Sequence, residues 1–494
     1  MSLAAQSPSF AHTSARIHLA AFLLFVVVTL VFTYPLPARL NTHFAGDNID
    51  VWLNMWANWW TEKALTERLP FYHTTDIFYP VGVPLYFHSF SHTNTALWLL
   101  LAPLIGPLAA YNAATLAGFV LLGFGVYLLA GELTGSAEAG LVAGLAATFA
   151  PYHVWECVHP TLFSTQYIPL LLWSLARLLA RPTAWRGLLV AACAALNALT
   201  GWHQLIYAAV LTVPYLAWQL FLLLRRRKWS PALTRSLLVA VGGTLALVGG
   251  AALPLLREQS RAGYAEAQIA WVFNTDALAL VTPSFLHPLW GTAVRSVYDR
   301  FPAPNRPAFV GYAVLTLAAL GLAHLRKRDL WLAGATPLAL LLALGTALYV
   351  DGRVIVAHLP WYDPLIGFIR APVRLNLVLG LCLALLAGFG VARLLRRRTA
   401  RQRLVLTAGL SALVLFEFAA WPFPTTRSYV PPFYDRLAQE AGRFAIVEDP
   451  LDRQTDKFYM YWQTVHGKPL VNGHISRPPA TAFDFIRGNA ITAA

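Results

Sequence analysis

Runs of about 20 apolar residues recur along this chain, separated by short polar or basic segments, and each run is long enough to cross the roughly 30 Å hydrocarbon layer of a bilayer. Read this way the pattern predicts about 11 membrane-spanning helices, at 17–36, 108–131, 138–152, 162–181, 186–202, 204–224, 234–255, 307–325, 329–350, 373–395 and 403–421. Ala96 to Ala110 is also apolar, but it is short and broken by Pro103, Gly106 and Pro107, so it is read as an interfacial or re-entrant element. The first run is longer than a signal-peptide core and no small-residue cleavage site follows it, which makes it an uncleaved first helix.

Composition agrees with a polytopic, all-α membrane protein: 494 residues, 57% hydrophobic and 12% charged. The formal charge of +14 sits mainly in short Lys/Arg blocks between apolar runs, where it acts as a topology signal and implies no nucleic acid. Arg181/Arg186, Arg225–Lys228, Arg326–Arg328 and Arg393–Arg403 would face the cytoplasm, with the amino terminus inside and, after an odd number of crossings, the carboxyl terminus outside. Cys157, Cys193 and Cys382 match no metal or redox spacing and are read as packing residues.

Nearly every Asp, Glu and His then falls on the outer side. The outer segments are a long first loop (37–107), the loops 152–161, 256–306 and 351–372, and a tail (422–494) of soluble, α/β-like composition. The tail reads as a strand from Arg443 and a helix from Lys457 to Val465; its 73 residues are few for an independent domain, so it is expected to pack on the outer loops and to stop short of a complete domain. Residues 1–421 form the transmembrane domain in this reading.

Within the first loop, Gly46-Asp47-Asn48-Ile49-Asp50-Val51-Trp52 places two carboxylates three apart at the start of an amphipathic helix. Trp52, Trp56, Trp59 and Trp60 on that helix suit a headgroup region. An ionised Asp at a helix amino terminus can act as a general base or bind a cation; the structural alternative is that Asp47 caps the helix and Asp50 fills its first turn. Asp76, His88 and His92 add polar groups to the same loop, interleaved with aromatics as in a membrane belt or a sugar site.

His153, Glu156 and His159 lie together at the next outer mouth, with Gln166 just inside the following span and His203 on another outer hairpin. Three such side chains could ligate a metal, yet no short ligand motif is present. Asp276 and His287 occupy the loop 256–306. Arg257, Arg261, Arg370 and Arg374 face outward against the charge bias; arginine forms bidentate contacts with phosphate, and snorkelling to bulk lipid is the plainer reading.

At this point the chain resembles the GT-C superfamily of integral membrane glycosyltransferases, nearest to a bacterial branch. The resemblance rests on GDNIDVWLNMW (46–56), FYPVGVPLYFH (78–88), the Pro-Tyr-His…His-Pro loop (151–160), DALALVTPSFLHP (276–288), FIRAPVRLN (368–376) and MYWQTVHGKPLVNGHISRPP (460–480). It implies a polyprenyl-phosphate-sugar donor, a glycan, lipid or protein acceptor, and a catalytic first-loop aspartate, which falls on Asp47 or Asp50, with Asp47 preferred. A compact acidic pair is missing, so a divalent cation, Mg²⁺ or Mn²⁺, stays an open option beside a metal-free base. A bacterial plasma membrane is the expected location. The rival readings are a transporter or lipid-linked-glycan flippase, which would need polar groups at the bilayer midplane, and a non-catalytic assembly protein of the same fold.

Overall fold

The computed structural model describes residues 10, 14–261, 273–360, 362, 369, 371–442 and 444–488. A helix occupies each expected apolar segment: Ala15–Phe32, Pro107–Thr134, Ala137–Thr148, Tyr167–Ala180, Ala184–Thr200, Trp202–Arg225, Pro231–Arg261, Tyr312–Leu322, Trp331–Leu344, Asn376–Leu395 and Ala400–Glu417. Six helical stretches are long and apolar enough to cross a membrane by themselves: Ala15–Phe32, Pro107–Thr134, Pro160–Ala180, Trp202–Arg225, Pro231–Gly250 and Pro372–Leu395. The multi-pass character rests on these. Ala137–Thr148, at about 1.5 Å per residue, is only about 18 Å long, short of the hydrocarbon thickness.

Apolar side chains point outward from several helices. Leu19, Val27 and Val31 on the first helix and Leu238 and Leu245 on Pro231–Arg261 are exposed. Hydrocarbon, unlike water, takes such a surface without cost. Where helices meet, small residues allow close approach: Gly321 lies against the Leu386 carbonyl and Gly390 against the Leu317 carbonyl, so a Cβ at either would collide with the facing backbone.

The basic blocks collect at one end of the bundle and cap it. Arg186 donates to the Arg177 and Arg181 carbonyls at 3.0 and 2.6 Å, and Arg328 donates to the Leu133 carbonyl at 2.7 Å. Trp218 donates to the Lys327 carbonyl, and Arg403 pairs with Glu138.

At the other end the first loop and the tail build a second layer. Strand His43–Ala45 pairs antiparallel with Thr425–Arg427. The first-loop helix Asp50–Thr66 packs in parallel against the tail helix Asp456–His466, which falls where the sequence predicted it. These two segments share one apolar core, with Leu53, Trp56, Trp60, Ile77, Phe78 and Val83 from the loop and Tyr459, Met460, Leu470 and Ile475 from the tail. The tail therefore completes its core with the loop's side chains.

This corrects the reading of the tryptophans. Trp52, Trp56 and Trp60 are buried, not spread in a headgroup layer, because the tail offers them a protein surface on which to bury their large ring area. The predicted strand also shrinks: from 444 to 450 the ladder contact is a single bridge of Ile446 to Leu470, and Arg443 lies outside the described residues. The apolar stretch 96–110 ends in Pro107–Thr134 and is otherwise carried by the helix His92–Ile105. That helix carries Leu100, Leu104 and Ile105 exposed beside Pro107–Thr134.

Candidate active site

Asp50 is brought to the 151–160 segment by local packing. Gly46 has φ +86 and sits so close to the Val158 side chain that no Cβ would fit, which explains glycine ahead of the acidic motif. One turn beyond Asp50, Asn54 donates to the Val158 carbonyl at 2.8 Å. The Asn48 side chain accepts from the Asp50 N–H at 3.0 Å, which sets the start of the helix.

From there a chain of charges runs through four separate segments. Lys457 Nζ lies 2.5 Å from Asp50 Oδ1. His159 Nε2 lies 2.7 Å from Asp50 Oδ2, and its Nδ1 lies 2.8 Å from Glu156 Oε2. Arg306 donates to Glu156 Oε1 at 2.6 Å. Both His159 nitrogens face carboxylate oxygens, which only accept, so the ring serves both when it is an imidazolium.

The electrostatics agree. Burial opposes charge on Asp50, but the hydrogen bond and charge of His159, with Lys457, overcome it and hold the carboxyl well below the usual range. Glu156 is fully buried; burial pushes it up, and Arg306, His159 and Arg374 outweigh this and hold it ionised. Burial alone would lower His159, but Glu156 and Asp50 raise it above its ordinary value.

Positive charge remains in excess. Arg374 acts electrostatically on Glu156, Tyr152, Tyr207 and His203, and Arg477 acts on His203. Arg374 Nε is buried without a hydrogen-bond partner, and neither arginine has an ion pair among the described residues. Lys457, His159, Arg306 and Arg374 thus act on two carboxylates, Asp50 and Glu156, with Arg477 near His203. An anion is the ligand that such a site would hold.

Asp50, Glu156, His159, His203 and Arg374, all expected from sequence, therefore meet in one region. Asp47 is exposed at its edge, three residues before Asp50, with no side-chain partner among the described residues. It does not cap the helix.

The others go elsewhere. Asp76 pairs with Lys63 at 2.5 Å, at the last turn of the first-loop helix. His88 is buried against Trp56 and Phe90 with neither nitrogen bonded, and His92 stacks on Phe90 and reaches the Tyr72 hydroxyl. His153 bridges the Thr148 and Phe163 carbonyls, a core role. Gln166 is buried with its amide oxygen unpaired.

Asp276 accepts from the N–H groups of Leu278, Asp351 and Gly352 and so holds two loops together. His287 stacks on Trp290 at 3.5 Å and meets the Phe416 carbonyl. Arg257 is exposed on the helix Pro231–Arg261. Arg370 and the Arg261 side chain lie outside the described residues.

Lys457, Arg306 and Arg477 escaped the sequence reading. Arg306 is a further arginine in a segment that the charge bias assigns to the outside, the signal that singled out Arg374. Lys457 opens an otherwise aromatic helix, Lys457-Phe458-Tyr459-Met460-Tyr461-Trp462, and a lone cation there hints at a buried carboxylate.

Mg²⁺ and Mn²⁺ take oxygen-rich cages. Asp50 is already matched by an ammonium and an imidazolium, and among the described residues no three His, Cys, Asp or Glu converge as ligands. The side chains present do not fit such an ion.

No protein-family model and no curated protein matches this sequence. Solved structures do. The apo crystal structure of the Archaeoglobus fulgidus oligosaccharyltransferase aligns over 92% of this chain and 64% of that one, with 12% identity and a TM-score of 0.50. The same enzyme tethered to an acceptor peptide containing the NVT sequon aligns over 93% and 64%, with 11% identity and a TM-score of 0.50. ArnT from Cupriavidus metallidurans in the apo state aligns over 92% and 86%, with 12% identity and a TM-score of 0.47. The chain spans just under two thirds of the oligosaccharyltransferase's length. At such identity the likeness shows the fold alone, that of the oligosaccharyltransferase structures.

Proposed function

We propose that this protein is a membrane glycosyltransferase that moves a sugar from a polyprenyl-phosphate donor to a glycan, lipid or protein acceptor at the outer face of a bacterial plasma membrane. In this reading the chain crosses 11 times, with its amino terminus cytoplasmic and its carboxyl-terminal segment outside. The observation that carries the proposal is the meeting of the first-loop carboxylate Asp50 and of Glu156 with a cluster of cations at the end of the bundle opposite the basic blocks.

The two aspartates divide the work. Asp50, ion-paired on both oxygens, is a weak proton acceptor, because each cation stabilises the ionised form. Its task is to hold Lys457 and His159 in place. Asp47 has an open carboxylate and takes the proton from the acceptor hydroxyl. That oxygen attacks the anomeric carbon from the face opposite the phosphate, the bond from anomeric carbon to phosphate oxygen breaks, and configuration inverts. The lipid phosphate leaves as an anion, which Arg374 and Arg477, beside His203, stabilise. The lipid tail lies against the exposed apolar helix faces.

The test uses protein in lipid nanodiscs with a set of polyprenyl-phosphate sugars and membrane-extract acceptors. Asp47→Asn is expected to abolish transfer without lowering the melting temperature, and Asp50→Asn to reduce both. Wild-type transfer by a folded Asp47→Asn/Asp50→Asn double variant removes the proposed base.

A further inference from the structure

A cleft of ≈ 570 Å³ opens between the first loop and the tail, lined by residues that include Glu67, His73, Thr75, Asp76, Phe444 and Lys468. Its size lies within the roughly 300–1,000 Å³ of small-molecule sites. The cleft is separate from Asp50. The parallel helix pair joins them: Lys457 meets Asp50 at one end and Gln463 meets Trp56 midway. Lys63, near the cleft end, is 13 residues after Asp50 on one helix, about 20 Å at 1.5 Å per residue.

The chemistry of this second site differs from that of the first. Lys63 is neutralised by Asp76. Lys468 donates to the Glu440 and Gly442 carbonyls and lies 4.8 Å from the centre of the Phe444 ring. Lys468 keeps its charge, since carbonyls and a ring do not cancel it, and Glu67 balances it in number, so the described lining carries no net charge. The groups left open are the Glu67 carboxylate, the His73 imidazole and the Thr75 hydroxyl, all exposed and without side-chain partners among the described residues, with the Phe444 ring 38% exposed beside them.

A carboxylate, an imidazole and a hydroxyl can hydrogen-bond ring hydroxyls, and an aromatic face packs on the C–H face of a sugar. Among the described lining residues two lysines stand against two carboxylates, so an acidic ligand gains no net attraction there and meets the open Glu67.

We infer that this cleft binds a neutral oligosaccharide, the distal part of the acceptor, while the acceptor's reacting hydroxyl lies near Asp47. This rests on the transferase reading and adds to it a substrate class and a second contact region. The acceptor is then an extended saccharide of several residues, and the first-loop and tail helices act as the spacer between its two contacts.

Cellotetraose, chitotetraose and maltotetraose are titrated calorimetrically into the full chain in nanodiscs, as wild type, Phe444→Ala and Glu67→Gln. Both cleft residues are exposed, so their replacement is expected to leave the melting temperature close to wild type. At least one tetrasaccharide is expected to bind, and Phe444→Ala and Glu67→Gln weaken it more than 5-fold. In transfer assays the same two variants raise the acceptor KM at constant donor KM and kcat. Binding of none of the three sugars, or binding indifferent to both replacements, overturns the proposal. Failure of the transferase reading alone appears as Phe444-dependent sugar binding in a protein without transfer. Failure of the cleft alone appears as transfer whose acceptor KM ignores both variants.

Discussion

Lys457 and Asp50 are 407 residues apart in sequence and 2.5 Å apart in space, and Gln463 and Trp56 repeat the same offset at 2.8 Å. The tail helix is thus locked to the first-loop helix in a fixed parallel register. One end of that register sets the charge state at Asp50, and the other shapes the cleft. A slip of one residue would break both contacts.

Replacing Lys457 with Met should therefore destabilise the protein through Asp50. Lys457 is 7% exposed and its partner 27%, so the pair is only partly screened, and removing one member of such a pair costs on the order of 1–3 kcal/mol. Adding Asp50→Asn should recover part of this, since the stranded carboxylate is then gone. Thermal unfolding of the single and double variants reads the coupling; additive effects would mean that the pair contributes nothing.

Arg306 and Arg374 should separate. Arg306→Met leaves the fully buried Glu156 without its guanidinium and should lower stability by roughly 3–5 kcal/mol, as expected when a buried pair loses one partner. Arg374 has no ion pair to lose, so Arg374→Gln should change melting far less. Similar melting temperatures for the two variants would contradict this account.

Much of this organisation is legible in the sequence, for local reasons. Apolar runs mark the helices because hydrocarbon demands them, and the arginine blocks mark one end because they cap carbonyls there. Gly46 to Asp50, Glu156 and His159 stand out as polar groups at helix mouths. What stayed hidden is long-range. Nothing near Lys457 reveals that its partner is Asp50, and Trp56 reads equally well as a headgroup anchor or as core until the tail is seen to cover it. Asp276 and His287 look like site residues because a carboxylate that collects backbone N–H groups and one that meets substrate have the same local sequence signature.

The pH dependence of stability follows from His159. Its folded pKa is raised above the free value of about 6.5, so its contribution is complete below about 6.5 and is lost as pH rises through the folded value. Asp50 and Glu156 are depressed; their contribution is present above about 4, the unfolded value, and disappears only as pH falls through their low folded values. The contribution of these three groups should persist into mild acid and decline above neutrality, while His88, His466 and His474, whose pKa values burial lowers, oppose folding as pH falls below about 6.5. His159→Gln should flatten the alkaline limb in melting curves taken from about pH 5 to 9; an unchanged limb would assign it to other groups.

Gln463 offers a test of the register itself. Its side-chain amide accepts from Trp56 Nε1 and donates to the Asp76 and Lys468 carbonyls at 2.6 and 3.0 Å, all in a buried setting. Leucine at this position fills similar volume and leaves one donor and two acceptors unmet, at about 1–3 kcal/mol for each group that stays dry. Gln463→Leu should loosen the tail from the first loop without touching the helical bundle. Limited proteolysis should then cleave within 444–455 faster than in wild type, and a shift in Trp fluorescence should accompany it as Trp56 gains water. Because the same helix carries Lys457, the variant should also weaken the Asp50 contact, so that adding Lys457→Met costs less in the Gln463→Leu background than in wild type. Equal cost in both backgrounds would mean that the two ends of the helix pair act independently.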